Sequence, residues 1–290
     1  MKMDQFSCFE VRIAKVGLIA TCSIWGLPGQ AIDLKQLKLY SDSSMPATER
    51  LRGLVGLLEE EVQSPTESHI GLGGGQIDHD YTMTQIALGI SHVAKETSEA
   101  RHWLKSKLKE SNSTEAEEVL KIALGLARDP SVATCLAELL KRPGNPNRRA
   151  LAAFAIGESG SVVHIPDLMN ALNDVYSFEH LGDVGEAGTA IFPVRRAAYL
   201  ALRSLNVKVL RPNPDDEFKY EVDRTSAIKA IVPALQSPDN TKVSSAIRAI
   251  ERVGGSTACE ALQNYIELNR ENPDKKELVI QATAAQSCIP

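Results

Sequence analysis

Residues 147–174 read NRRALAAFAIGESGSVVHIPDLMNALND. From Ala150 to Ile156 every residue is apolar, so this segment has no solvated face and must be covered on several sides. Glu158-Ser159-Gly160-Ser161 then supplies a turn. Beyond it Ile165, Leu168 and Leu172 fall at i, i+3 and i+7, the spacing of a single helical face. The stretch predicts a helical hairpin. A hairpin this apolar cannot bury itself alone, so similar units must flank it.

Such units recur on both sides. Ile86-Ala87-Leu88-Gly89 returns as Ile122-Ala123-Leu124-Gly125 and as Phe154-Ala155-Ile156-Gly157. Their period of roughly 32 to 36 residues is that of stacked supersecondary units. Ala201-Leu202 and Ala249-Ile250 continue the series across two longer connections. The predicted helix pairs are 84–95 with 98–109, 114–128 with 130–141, 147–158 with 162–173, 194–205 with 225–236, and 241–253 with 256–269. Helix 46–62, opened by Pro46, is expected to cap one end, and helix 275–288 the other. Asp129 is expected to cap the helix begun by Pro130, and Pro233 to kink the helix that contains it. Aromatic residues make up only 5% of the 290, which favours close-packed helices over sheets. The expected fold is all-α: one continuous α-solenoid over 46–290, with about five helix pairs in 84–270. Capping at both ends favours a monomer.

The residues themselves carry a family resemblance. Arg149-Ala150-Leu151-Ala152-Ala153-Phe154-Ala155-Ile156-Gly157-Glu158-Ser159-Gly160, with Ile165-Pro166-Asp167-Leu168 after it, resembles a HEAT repeat of the phycobilisome-lyase type. Val194-Arg195-Arg196-Ala197-Ala198-Tyr199-Leu200-Ala201-Leu202 follows the same pattern. The resemblance is specific over 147–205 and looser over 84–141 and 241–288. It implies a HEAT/armadillo-like curved array of antiparallel helix pairs, an architecture used mostly by scaffolds and binding modules.

The first 31 residues differ in composition. Lys2, Arg12 and Lys15 precede an apolar run from Val16 to Leu27, and Gly29-Gln30-Ala31 offers small residues at a cleavage site. This is the grammar of a signal peptide. The run is too short to span a membrane, so no span is expected after cleavage. A buried or tethering N-terminal helix is the other reading. Residues 32–45 read as an extended polar segment. A periplasmic or secreted location permits disulfides. Cys259, early in one helix, and Cys288, late in the next antiparallel helix, form a candidate bridge. The net charge of −5 argues against nucleic acid, which needs a basic face.

Two sets of residues are candidates for binding. The first is the basic series at helix starts: Arg148, Arg149, Arg195, Arg196 and Lys242, continued by Lys275 and Lys276. Aligned by stacking, they form a stripe for an acidic partner or a polyanion. Alternatively they form a structural ladder. Cations at a helix N-terminus oppose the macrodipole and need acidic partners, and the resemblance implies pairing with acids such as Asp174, Asp239 and Asp274. The second set lies in the long connections 63–80 and 174–192, with His79 and Asp80 in one and His180 in the other; a third long connection spans 206–223. Long loops on a rigid scaffold often carry recognition. The Gly71–Gly75 run lacks the GxxxxGK[ST] pattern of a phosphate loop. No ligand spacing points to a metal, no cofactor is expected, and no nucleophile-elbow GxSxG occurs. His92, His102, His164 and Trp103 read as packing residues.

The expected function is therefore that of an exported, non-enzymatic scaffold that binds a protein partner through its concave face and loop-bearing edge. The alternative implied by the resemblance is a phycobilisome-lyase-like chromophore lyase or chaperone, which an export signal would separate from its substrate.

Overall fold

The computed structural model describes residues 40, 43–63, 65, 76–176, 178–180, 189–210 and 220–287. Residues 1–31, Cys288 and most of the three long connections lie outside this set. Among the described residues the chain is almost entirely helical, with twelve α-helices and two short hairpins. It divides into two compact units, 1–124 and 125–290. The division falls inside a helix, where no linker composition marks it.

The first unit contains α1 (Ala47–Gln63), α2 (Gln76–Glu96), α3 (Ser98–Glu110) and most of α4 (Thr114–Leu126). α1 buries the stripe Leu51, Leu54, Val55 and Leu58, as its spacing requires, and packs on α2 and α3. Tyr40, helical in its backbone, lays its ring on Gly53 so closely that a Cβ there would overlap it. The hydroxyl of Thr97 caps α3 by accepting from the Ala100 N–H at 3.0 Å. α2 begins at Gln76, about two turns before the expected start near Thr84. The glycine run ends at Gly75, and Gln76–Asp80 contain neither Gly nor Pro, so nothing in this stretch breaks the helix.

The second unit contains α5 (Ala133–Lys141), α6 (Pro146–Ser159), α7 (Ile165–Ala171), α8 (Pro193–Ser204), α9 (Arg224–Ile231), α10 (Asn240–Val253), α11 (Ser256–Asn269) and α12 (Lys276–Ser287). Short 3-10 turns at Pro130–Val132, Val162–His164 and Pro273–Lys275 lead into α5, α7 and α12. The caps follow the sequence. Asp129 accepts from the Ser131 N–H at 3.0 Å, and Asn145 from those of Asn147 and Arg148 at 2.9 and 3.2 Å. Gly160 ends α6 with φ of 72°, a left-handed conformation that glycine adopts without strain. At Pro233 the helix tightens from α to 3-10 geometry over Val232–Gln236, because proline supplies no N–H for the α ladder.

Half of α6 is buried. Ala150, Ala152, Ala153, Ala155, Ile156 and Gly157 are all buried. Burying one large aliphatic side chain contributes about 1.5–3 kcal/mol, and small residues let the neighbours approach closely enough to do so. A Cβ on Gly157 would sit 2.7 Å from the Ala201 Cα, and one on Gly125 would sit 2.9 Å from the Ala155 Cβ. These are the glycines that end the repeated sequence motif. Consecutive helices pack, as α5 on α6 and α11 on α12 do. Alternate helices pack too: α5 on α7, α6 on α8, α9 on α11, and α10 on α12.

Two of the long connections hold strands that the sequence did not suggest. Phe178–His180 pairs antiparallel with Thr189–Ile191, and Val209–Leu210 with Glu221–Val222. Both hairpins are very short, and residues 181–188 and 211–219 between their strands lie outside the described set.

Candidate functional site

Three places gather charged side chains. The first is the joint between α7 and α8. Asp174 follows α7, and the starts of α6 and α8 both reach it. Arg149 donates from its guanidinium to the Asp174 carboxylate at 3.3 Å, both side chains being 15% exposed. Arg195 donates its Nε–H to the Asp174 main-chain carbonyl and lies over the Phe192 ring at 4.3 Å. The cations at these helix starts are thus held by an acidic turn, which offsets their opposition to the helix dipole. The next two residues turn outward: Val175 is 86% and Tyr176 42% exposed. The N–H of Tyr176 donates to the Asp174 carboxylate at 3.0 Å, which fixes the backbone that displays them.

Of the remaining basic series, Arg148 is half-buried and Arg196 and Lys242 are exposed. Lys275 donates to the Asn240 side-chain oxygen at 2.6 Å, and Asn240 in turn donates to the Asp274 carbonyl at 3.5 Å. Asp239 accepts from the Thr241 N–H and so caps α10. An asparagine therefore stands where an acid was expected to meet Lys275.

The second place is a buried carboxylate in the first turn of α7. The Asp167 side chain is 2% exposed. It accepts from His164 Nδ1 at 3.0 Å, from the Arg252 guanidinium at 2.7 Å, and faces Lys141 Nζ at 3.3 Å. Burial by itself would raise its pKa. The hydrogen bonds from His164 and Arg252, with the charges of Arg252 and Lys141, outweigh burial and hold it far below the usual carboxylate range. The other nitrogen of His164 lies 3.5 Å from the Thr134 hydroxyl. Hydroxyl, imidazole and carboxylate thus follow one another in the order of a nucleophilic relay. In such a relay the carboxylate must be free to stabilise an imidazolium. Here Arg252 and Lys141 already share its charge, so the cluster is suited to tying α5, α7 and α10 together.

The third place corrects the expected loop position of His79 and Asp80. Both lie on α2. His79 Nδ1 is 2.7 Å from Glu61 on α1, and Nε2 is 3.0 Å from Glu115 on α4. Burial lowers the imidazole pKa, but hydrogen bonds and charges from both glutamates outweigh this and leave it above its ordinary value. The Asp80 carbonyl accepts from the Thr84 hydroxyl at 2.8 Å. His180 lies on the first hairpin strand, opposite Thr189. Cys259 is partly buried on α11, and its proposed partner Cys288 lies outside the described residues.

Among the described residues no group of His, Cys, Asp and Glu is arranged to hold a metal ion, and no helix is long and apolar enough to cross a membrane. Sequence reasoning passed over Asp167, Lys141, Arg252, Glu61 and Glu115. The i, i+3 spacing of His164 and Asp167 was a usable local signal; the other partners come from distant segments. No protein-family model matches the chain, and no curated protein sequence matches it.

Proposed function

We propose that this protein is a non-enzymatic interaction scaffold, a HEAT-like array of stacked helix pairs that is exported and binds a protein partner along its loop-bearing edge and concave face. Packing between alternate helices supports the array, because stacked pairs bring each helix against its counterpart in the next pair. The observation that carries the binding reading is the joint at Asp174. Two arginines anchor the turn, and Val175 and Tyr176 project from it into solvent. An exposed aromatic beside arginines on a fixed backbone has the chemistry of an interface anchor. The exposed Lys242 adds a preference for an acidic partner surface.

The test is site-specific photo-crosslinking in the native host, with the crosslinker at Tyr176 in one strain and at Leu268, an 82% exposed control, in another. One discrete partner band from position 176, lost on Val175→Ser, is expected. Equal or absent labelling at the two positions would overturn the edge as the binding site. Export is checked separately, by N-terminal sequencing of the native protein: a mature chain beginning at Ile32 is expected, and retention of Met1 on a cytosolic chain would remove that part of the reading.

A further inference from the structure

α1 and α2 run antiparallel and are fastened to each other at both ends, by different chemistry. Near the start of α1, Arg50 is 2% exposed. One of its terminal nitrogens donates to Glu96 Oε1 at 3.0 Å and the other to Glu96 Oε2, at the end of α2; its Nε–H donates to the Met45 carbonyl at 3.1 Å. A guanidinium keeps its charge at every pH a folded protein meets, so this fastening is permanent. Near the end of α1, Glu61 is fastened to His79 at the start of α2, and the same ring reaches Glu115 at the start of α4.

The two fastenings respond differently to protons. The doubly protonated imidazolium has an N–H for each carboxylate. The neutral ring has one, so its other nitrogen then presents a lone pair to a carboxylate oxygen about 3 Å away. We propose that Glu61–His79–Glu115 is a pH-dependent latch: deprotonation of His79 removes one of its two N–H bridges and so loosens the hold of α2 on the last turn of α1 and the first turn of α4, while the Arg50–Glu96 end stays closed. The titratable groups that face the ring are Glu61 from α1 and Glu115 from α4. Asp78 and Asp80 are the neighbouring acids on its own helix, and no group of α3 is among the causes of its shift. Glu61 is 8% exposed, so the loss of the imidazolium charge beside it is little screened by water.

The sign follows from the raised histidine. The latch is fully closed below the ordinary histidine value of about 6.5 and opens as pH rises through the higher folded value. The Arg50 fastening and the apolar stripe of α1 do not titrate there, so release is local.

The test uses the full chain. Histidine resonances are titrated by NMR, and hydrogen exchange is measured at pH 6 and pH 9, corrected for intrinsic rates, over 47–53 and 57–63. The expected result is a His79 midpoint above 6.5 and a several-fold loss of protection at pH 9 confined to 57–63. His79→Gln should abolish that pH difference. The milder Glu115→Gln keeps Glu61 and should move the midpoint downward, so a His79 variant that fails to fold does not end the test. A midpoint at or below 6.5, an equal change at both ends of α1, or a pH difference that survives in His79→Gln would overturn the latch.

Discussion

The charge clusters of the two units invert one another. In the first unit a histidine, His79, lies between two carboxylates; in the second a carboxylate, Asp167, lies among His164, Arg252 and Lys141, the last of which also pairs with Glu138. Both tie three helices together, around a central side chain that is 13% exposed in the first and 2% in the second. The difference lies in which group can lose its charge. His79 titrates above its ordinary value and loses its charge with rising pH. Asp167 is held far below the carboxylate range, so its contribution is complete above that range and declines only as pH falls through and below it. The same interhelical task is therefore performed by a labile fastening in one unit and a durable one in the other.

Substitutions at the durable cluster should give the largest effects. Asp167→Ala removes a buried carboxylate together with its charge-assisted hydrogen bonds to His164 and Arg252, and is expected to cost about 3 kcal/mol at pH 7, read by urea unfolding. The same variant should flatten the acid limb of the stability–pH curve. A cost below about 0.5 kcal/mol, the level of a neutral surface change, would mean that the two clusters are not comparable. Gly157→Val asks whether packing in the second unit matters as much as charge. With the Ala201 backbone 2.7 Å from any added Cβ, overpacking should cost about 2 kcal/mol.

Smaller effects sharpen the contrast. The Arg252 side chain is 41% exposed, so Arg252→Gln should cost only about 1 kcal/mol after solvent screening, and less at high salt. Thr134→Val should change stability by less than about 0.5 kcal/mol, because its contact with His164 is long and exposed. Any esterase-like turnover of a simple aryl ester that this substitution removed would restore the relay reading of the Thr134–His164–Asp167 series.

Much of the helical order was legible in the sequence. Asp129, Asn145 and Gly160 act where local chemistry required them to. The apolar run Ala150–Ile156 is buried except at Leu151 and Phe154, which are partly exposed, and Gly125 and Gly157 of the repeated motif admit close neighbours. The start of α2 was not legible. The Gly71–Gly75 run dominated the reading of its surroundings, and His79 and Asp80 were assigned to a loop. The strands Phe178–His180 and Thr189–Ile191 were also missed; three-residue ladders have too little alternation to stand out among polar residues.

The sequence by itself determined which segments become helices, where they are capped and which faces are buried. Those properties depend on neighbours within about one helical turn, where side chain and backbone meet whatever the rest of the chain does. Only the tertiary structure decided which charges meet. Glu61 and Glu115 reach His79 from 18 and 36 residues away, and Arg252 reaches Asp167 from 85. Lys, Arg, Asp and Glu are plentiful on every helix, so composition offers many possible partners. The packing of the apolar faces selects among them, by bringing a few of these side chains within hydrogen-bonding distance and leaving the others in water.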